Sequence, residues 1–287
     1  MSYGDKIDRI HSFSLGDFHD FDACVFRFYV NHHLQKKYEL AEGNVNQAIG
    51  SLLDLGIKKV HQANAYKQDP EYLVNLIKAA ETDIQNEVLM RGKNSFFGAI
   101  PPFLTPEIIT YTQEIFKSYL ISMKGKIKPA VPTFQMKKIK PFWQRIIQSD
   151  KPLKLWGGPD AIEMGVDGVP EVADYKYFEN SEKGKSYLDM DLMPKMYILL
   201  TADDLIDSGF NKARFIARFW TEPGNNDFYE EFDFANIKNL EDYFKDKMER
   251  ILRNKQLSFC EKEYCRVCKN EFKEEWIAEL KVKGYID

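Results

Sequence analysis

The four cysteines of this chain are placed so unevenly that they constrain its fold more than any other feature. Cys24 stands near the N-terminus, while Cys260, Cys265 and Cys268 fall within nine residues near the opposite end. Cys-x2-Cys is the tightest spacing that lets two sulfurs reach one metal centre, and three local thiolates leave a tetrahedral site one ligand short. Cys24 is the only cysteine left to complete it. A fold that uses all four must bring its first helix against its last segment. Four thiolates suit Zn²⁺ or an iron–sulfur cluster, and the spacing does not choose between them. The plainer alternative makes Cys24 a small buried hydrophobe and the other three incidental.

The chain has 287 residues, 44% hydrophobic and 29% charged, enough apolar material for a sizeable core. It has no apolar run of roughly 18 residues to cross a membrane. Met1-Ser2-Tyr3-Gly4-Asp5-Lys6 offers no apolar targeting core. A cytoplasmic, reducing location is therefore expected, where grouped cysteines more often bind metal than form disulfides. The net charge of −4 argues against a whole-surface grip on nucleic acid. Charge is locally concentrated, however. Residues 117–154 hold ten Lys or Arg, Lys137, Lys138 and Lys140 among them, against the single acid Asp150. Phe134, Phe142 and Trp143 interleave with them. Such a stretch can follow a phosphate backbone while its rings stack on bases, or it is a solvated face.

Helical spacing of apolar residues runs through 12–40, with Ser14 as N-cap and Cys24 inside the helix. Further helices are predicted over 43–55, 70–88, 105–123, 188–202 and 240–257, with Pro194 in the first turn of the one over 188–202. Residues 154–164 and 171–178 read as two strands joined by Gly165-Val166-Asp167-Gly168, where Asp-Gly is a hairpin signal. Residues 213–221 alternate as a strand, and 228–234 can pair back on it. The fold class predicted is α/β, with a mixed central sheet flanked by helices. One domain, 1–287, is expected: a mainly helical part over 1–150, a sheet core over 151–235, and a C-terminal helix with the cysteines over 236–287.

Alternate side chains of a strand share a face, so Asp174 and Lys176 point the same way. The hairpin brings Asp160 alongside them. Two converging carboxylates form a hard oxygen site suited to Mg²⁺ or Mn²⁺, which the Tyr175 carbonyl can complete. Lys176 can orient an attacking water or neutralise developing charge. Asp-x-Lys alone is commonly a solvated pattern, but a charged pair among Val172, Ala173 and Tyr175 is costly without a partner or a task. His11, His19, His32, His33 and His61 show no ligand spacing and read as surface or helix-packing residues. Trp220 reads as core.

Gly157-Gly158-Pro159-Asp160 followed by Glu171-Val172-Ala173-Asp174-Tyr175-Lys176 resembles the core motif of the PD-(D/E)XK nuclease superfamily. Asp-Tyr-Lys is the form common in its RecB-like branch. Residues 12–29 resemble that branch's N-terminal helix, with a cysteine ahead of aromatic residues. Leu192-Met193-Pro194-Lys195-Met196-Tyr197 resembles the helix in which members carry Gln-x-x-x-Tyr, which makes Tyr197 a DNA-facing candidate. The resemblance implies a restriction-endonuclease-like core and metal-dependent cleavage of DNA, preferably single-stranded or frayed ends. It implies a four-iron four-sulfur cluster on Cys24, Cys260, Cys265 and Cys268, as in CRISPR-associated exonucleases and AddB-type helicase-nucleases. Repair, recombination and CRISPR adaptation, with a helicase or integrase partner, are the settings it suggests.

The chain also departs from that pattern. Asn46 stands where the family often has a metal-binding histidine; its oxygen is a weaker ligand, or it is a plain helix residue. Met193 replaces the glutamine, and the C-terminal cysteine spacing is not the usual one. Two other classes stay open: a DNA-binding protein that does not cut, and a zinc-stabilised interaction protein.

Overall fold

The computed structural model describes residues 9–36, 43–62, 65, 68–92, 97–123, 143–178, 192–221, 228–260, 262 and 265–287. The chain divides into two compact units, neither of them contiguous. One takes Met1–Ala41, Phe142–Gly157 and Lys238–Asp287; the other takes Glu42–Pro141 and Gly158–Ile237.

The first unit is built on aromatic packing. Ser14 starts helix α1 (Leu15–Ala23) with a capping box: its N–H and hydroxyl both bond Asp17 Oδ2, at 2.7 and 2.6 Å. The helix predicted to run on through Cys24 stops there. Cys24 is extended (φ −167°, ψ 107°), and its sulfur accepts the Arg27 N–H at the start of α2 (Val25–Phe28). A π-helical turn, Tyr29–His33, follows. Residues 37–40, the end of the predicted helix, lie outside the described residues. Strand β1 (Ser12–Phe13) runs parallel to β3 (Leu153–Gly157), which pairs antiparallel with β2 (Trp143–Ile147). Phe13 stacks with Phe18 and Phe28 at ring separations of 5.8 and 6.4 Å. Phe18 meets Phe244 of α8 (Ile237–Arg253) at 5.7 Å. That helix buries only Phe244, Met248 and Ile251 on one narrow stripe. A last helix, α9 (Lys273–Val282), lies where only a cysteine-bearing tail was expected.

The second unit carries the mixed sheet. Its strand order is β4 (Ala161–Met164), β5 (Pro170–Lys176), β6 (Lys212–Phe219) and β7 (Phe228–Asp233). The outer pairs are antiparallel and the central β5–β6 pair is parallel. The hairpin forms as predicted: Gly165 N–H donates to Val169 O, and Gly168 turns the chain at φ 79°, a conformation that favours glycine. The single strand expected over 154–164 is instead two strands in two sheets. Gly157 has φ 152°, and Pro159 brings no N–H to a ladder, so pairing breaks between β3 and β4.

One sheet face packs on α3 (Val45–Gln62), α5 (Leu76–Arg91) and α6 (Pro106–Ser122), with Ala161, Ala173, Tyr175, Ile216 and Trp220 in the shared core. Helix α3 outlasts the predicted 43–55 because Ile57 and Val60 continue its apolar stripe, both fully buried. Each such burial contributes roughly 1.5–3 kcal/mol. The helix predicted over 70–88 is split into α4 (Pro70–Leu73) and α5 by a turn at Val74 and Asn75. Helix α7 (Leu192–Asp207) covers the opposite face, its Tyr197 ring 6.2 Å from Phe215 of β6. Among the described residues no helix is long and apolar enough to cross a membrane.

Candidate active site and thiolate centre

Asp160 follows the Gly157-Gly158-Pro159 break directly. Its N–H donates to Ala173 O and its Oδ2 accepts the Tyr175 N–H, both at 2.9 Å. The side chain thus extends the pairing with β5 to one residue before the start of β4, as a short Asp side chain can. Asp174 and Lys176 leave the same face of β5, on either side of the core residue Tyr175. Lys176 Nζ lies 2.6 Å from Asp174 Oδ2. That face carries Ala217 and Phe219 in register on β6.

Two more charged residues join from α3. Asp54 and Lys58 are one turn apart on the same helix face. Lys58 Nζ sits 2.9 Å from Asp160 Oδ1. Asp54 is within electrostatic reach of Asp160, Lys58, Lys176 and Asp174. Its Oδ1 is buried with no hydrogen-bond partner among the described residues. Neither residue stood out in the sequence. The available signal is the polar sequence Asp54, Lys58, His61 at helical spacing on an otherwise core-forming helix.

Three carboxylates against two ammonium groups leave the cluster short of positive charge. Burial pushes the Asp174 carboxyl up to about 6, with Asp160 adding repulsion and Lys176 opposing it. Burial, then Asp160, holds Asp54 well above the usual carboxylate range. At Asp160 burial pulls upward too, but Lys58 and Lys176 outweigh it and the carboxyl ends below its ordinary value. An all-oxygen donor set, excess negative charge and an orphaned Asp54 oxygen fit a hard divalent cation.

Asn46 lies elsewhere. It is exposed in the first turn of α3, eight residues and about 12 Å of helix before Asp54. Met193 is buried. Tyr197 reaches the cluster electrostatically; burial and then Asp174 push its hydroxyl pKa upward. Lys137, Lys138 and Lys140, and most of the basic segment with them, lie outside the described residues.

The opposite face of the sheet holds a buried ionic floor. The Tyr175 hydroxyl donates to Glu163, which is 1% exposed. Arg218 Nε and Nη2 reach Glu163 Oε2 at 3.1 and 2.8 Å, and Nη2 reaches Glu171 Oε2 at 2.8 Å. His61 Nε2 is 3.5 Å from Glu163 Oε1. His61 is therefore a buried packing residue rather than a surface one, and burial, opposed by Glu163, lowers its pKa. His32 is buried as well, with Nε2 2.9 Å from Ser12 O. Trp220 lies in the core, 2% exposed, as its sequence context suggested.

The thiolate centre belongs to the first unit. The sulfurs of Cys24, Cys260, Cys265 and Cys268 all lie within 4.8 Å of one another. Cys24 Sγ is 3.4 Å and Cys260 Sγ 3.8 Å from Cys268 Sγ. The break at Cys24 aims its side chain inward, and the Phe26 N–H bond to Ser258 O at 3.1 Å holds the two segments together. The Phe26 and Phe259 rings pack 5.1 Å apart beside them. All four thiols are unpaired by disulfides, and four soft donors with nothing harder among them fit a thiophilic metal or cluster.

No curated protein matches the sequence. Among solved structures the crystal structure of SSO0001 is similar at 14% identity, covering 85% of this chain and 92% of that one with a TM-score of 0.25, a likeness too loose to carry weight. The sequence profile of the PD-(D/E)XK nuclease superfamily matches residues 12–271, a span that takes in both the carboxylate–lysine cluster and the four cysteines. The chain belongs to the PD-(D/E)XK nuclease superfamily.

Proposed function

We propose that this protein is a divalent-metal-dependent deoxyribonuclease, an exonuclease of the RecB-like kind that works on single-stranded or frayed DNA ends. What carries the reading is the meeting of Asp160, Asp174 and Lys176 with Asp54 and Lys58 at one end of a mixed sheet in a chain of this superfamily. Asp54, Asp160 and Asp174, with the Tyr175 carbonyl, would hold Mg²⁺ or Mn²⁺. When bound, the ion supplies Lewis acidity at the scissile phosphate. Asp174 anchors the Lys176 ammonium, whose pKa is raised: burial works against the charge, but Asp174, Tyr197 and Asp160 more than offset it. Lys176 therefore stays protonated and serves to orient the attacking water and to offset charge building on the phosphate. The basic residues Lys137, Lys138 and Lys140 would guide the strand inward, and Tyr197 would border its path.

Purified protein with Mn²⁺ and end-labelled single-stranded DNA should shorten the label progressively, and Asp174→Ala should not. Binding without cleavage by the wild type would instead support a DNA-binding protein that does not cut, the reading that buried Met193 and exposed Asn46 favour. Matched double-stranded and RNA substrates test the strand preference. Repair, recombination or CRISPR adaptation, with a helicase or integrase partner, are the cellular settings in keeping with the resemblance to that branch.

For the thiolate centre two occupants are in play. The resemblance points to a four-iron four-sulfur cluster. The sulfur separations favour a single tetrahedral ion such as Zn²⁺, because Zn–S bonds of about 2.3 Å set tetrahedron edges near 3.8 Å. In a cubane each thiolate binds its own iron, which spreads the sulfurs further. Metal analysis with an anaerobic visible spectrum decides: a brown protein with iron rules out zinc, and a colourless one with one zinc per chain rules out the cluster.

A further inference from the structure

Asp160 has two carboxylate oxygens, and both are spoken for. Oδ2 accepts the Tyr175 N–H at 2.9 Å, and Oδ1 lies 2.9 Å from Lys58 Nζ. Tyr175 uses one lone pair of Oδ2, so Oδ1 is the less encumbered oxygen for an ion, and Lys58 covers it. Like charges a few ångströms apart repel by several kcal/mol even at an intermediate effective dielectric. A divalent ion and the Lys58 ammonium therefore do not share Oδ1 comfortably.

Of the two lysines, Lys58 is the one built to leave. Its side chain is 40% exposed, against 28% for Lys176 and 10% for Asp160. It hangs from helix α3 on a flexible stem with water on one side. Lys176 stands on the central strand β5; carboxylates favour both charges in place, Asp160, Asp54 and Asp174 that of Lys58 and Asp174 and Asp160 that of Lys176, so exposure is what separates the two. The sum of charges points the same way. With all three carboxylates ionised, as a bound divalent ion would make them, they and the two ammonium groups stand at −1; the ion with both lysines in place would make +1, and with Lys58 withdrawn, zero.

We propose that Lys58 is a displaceable internal counter-ion: it neutralises Asp160 when no divalent ion is held, and moves onto a nucleic-acid phosphate when one is. Lys58 is thus a positioning residue that couples metal and strand binding. This deepens the nuclease reading and rests on it. A phosphodiester that attracts the ammonium frees Oδ1 for the ion, and the ion in turn sends the ammonium to the phosphate. By linkage the two binding events strengthen each other by the same factor. The protein would hold its ion weakly until a strand arrives.

The test is Mn²⁺ affinity, followed by electron paramagnetic resonance of the free ion, on the full chain with its thiolate centre loaded. It is measured with and without a cleavage-resistant phosphorothioate oligothymidylate. In the wild type the oligonucleotide should tighten Mn²⁺ about tenfold. Lys58→Met should bind Mn²⁺ about tenfold more tightly than wild type without oligonucleotide, and the oligonucleotide effect should fall below about threefold. Lys58→Arg, which keeps the charge and guards against a folding artefact, should retain most of the coupling. Mn²⁺ binding that Lys58→Met leaves unchanged or weakens, or an undiminished oligonucleotide effect, overturns the proposal while the nuclease reading stands. No Mn²⁺ binding by either protein, or binding that Asp174→Asn does not alter, overturns both.

Discussion

Asp54 is the residue whose environment is least favourable to itself. Its Oδ1 is buried without a partner, and burial with like charge raises its pKa, as it raises that of Asp174 to about 6. An acid whose pKa is raised on folding binds protons in the folded state that the unfolded chain has released. Its cost is absent below the ordinary carboxylate range, about pH 4, and grows as the pH rises toward the elevated folded-state value. Asp54→Asn removes one negative charge while each lysine keeps its direct ion pair, Lys58 with Asp160 and Lys176 with Asp174. Without divalent ions it should raise the melting temperature at pH 7.5 by about 2–4 °C, roughly 1 kcal/mol, and the gain should vanish toward pH 4. Scanning calorimetry across pH checks this. The same variant should lose at least about 100-fold in DNA cleavage if Asp54 helps hold the ion. A stability gain unchanged at acid pH would contradict the assigned charge balance.

The β4–β5 hairpin is the element on which the site's geometry depends. Asp160 reaches Asp174 only because Ala161 faces Ala173 in register, and that register is set at the turn, where Gly168 has φ 79°. Gly168→Val places a β-branched residue in the left-handed region and should cost roughly 1–2 kcal/mol or more. Equilibrium denaturation should show that loss, together with a fall in cleavage larger than the stability change explains, because a slipped register re-aims Asp160. This hairpin was legible in the sequence because its signals are local: two strand-like runs and an Asp-Gly turn. So was the Ser14 cap. Helix α3 was only half legible. Its apolar spacing announced a helix, but nothing local tells that Asp54 and Lys58 face carboxylates a hundred residues further on. Asn46 was drawn from a family pattern, and helical rise alone carries it away from the cluster. Strand β2 was hidden inside a basic run whose charge dominated its pattern. The break at Gly157-Gly158-Pro159 was written in the sequence, but strand-like neighbours on both sides concealed that it separates two sheets.

At the scale of the whole molecule, both units are assembled from distant stretches of chain, and the thiolate centre is the tie most open to experiment. Cys24→Ser, or removal of the bound metal by a chelator, should lower the melting temperature by roughly 5–10 °C, since ligation energy at such a centre is folding energy. An unchanged melting curve in both cases would reduce the four cysteines to packing. Cys24 and Cys268 are 244 positions apart, yet their sulfurs lie 3.4 Å from each other. During synthesis at roughly 5–20 residues per second, the Cys24 thiol must wait on the order of 10–50 s for its partners to be made. Throughout that interval it is a thiol without the three cysteines that surround it in the folded chain. Oxidants or a stray metal met during translation would therefore damage this protein more than the same exposure afterwards.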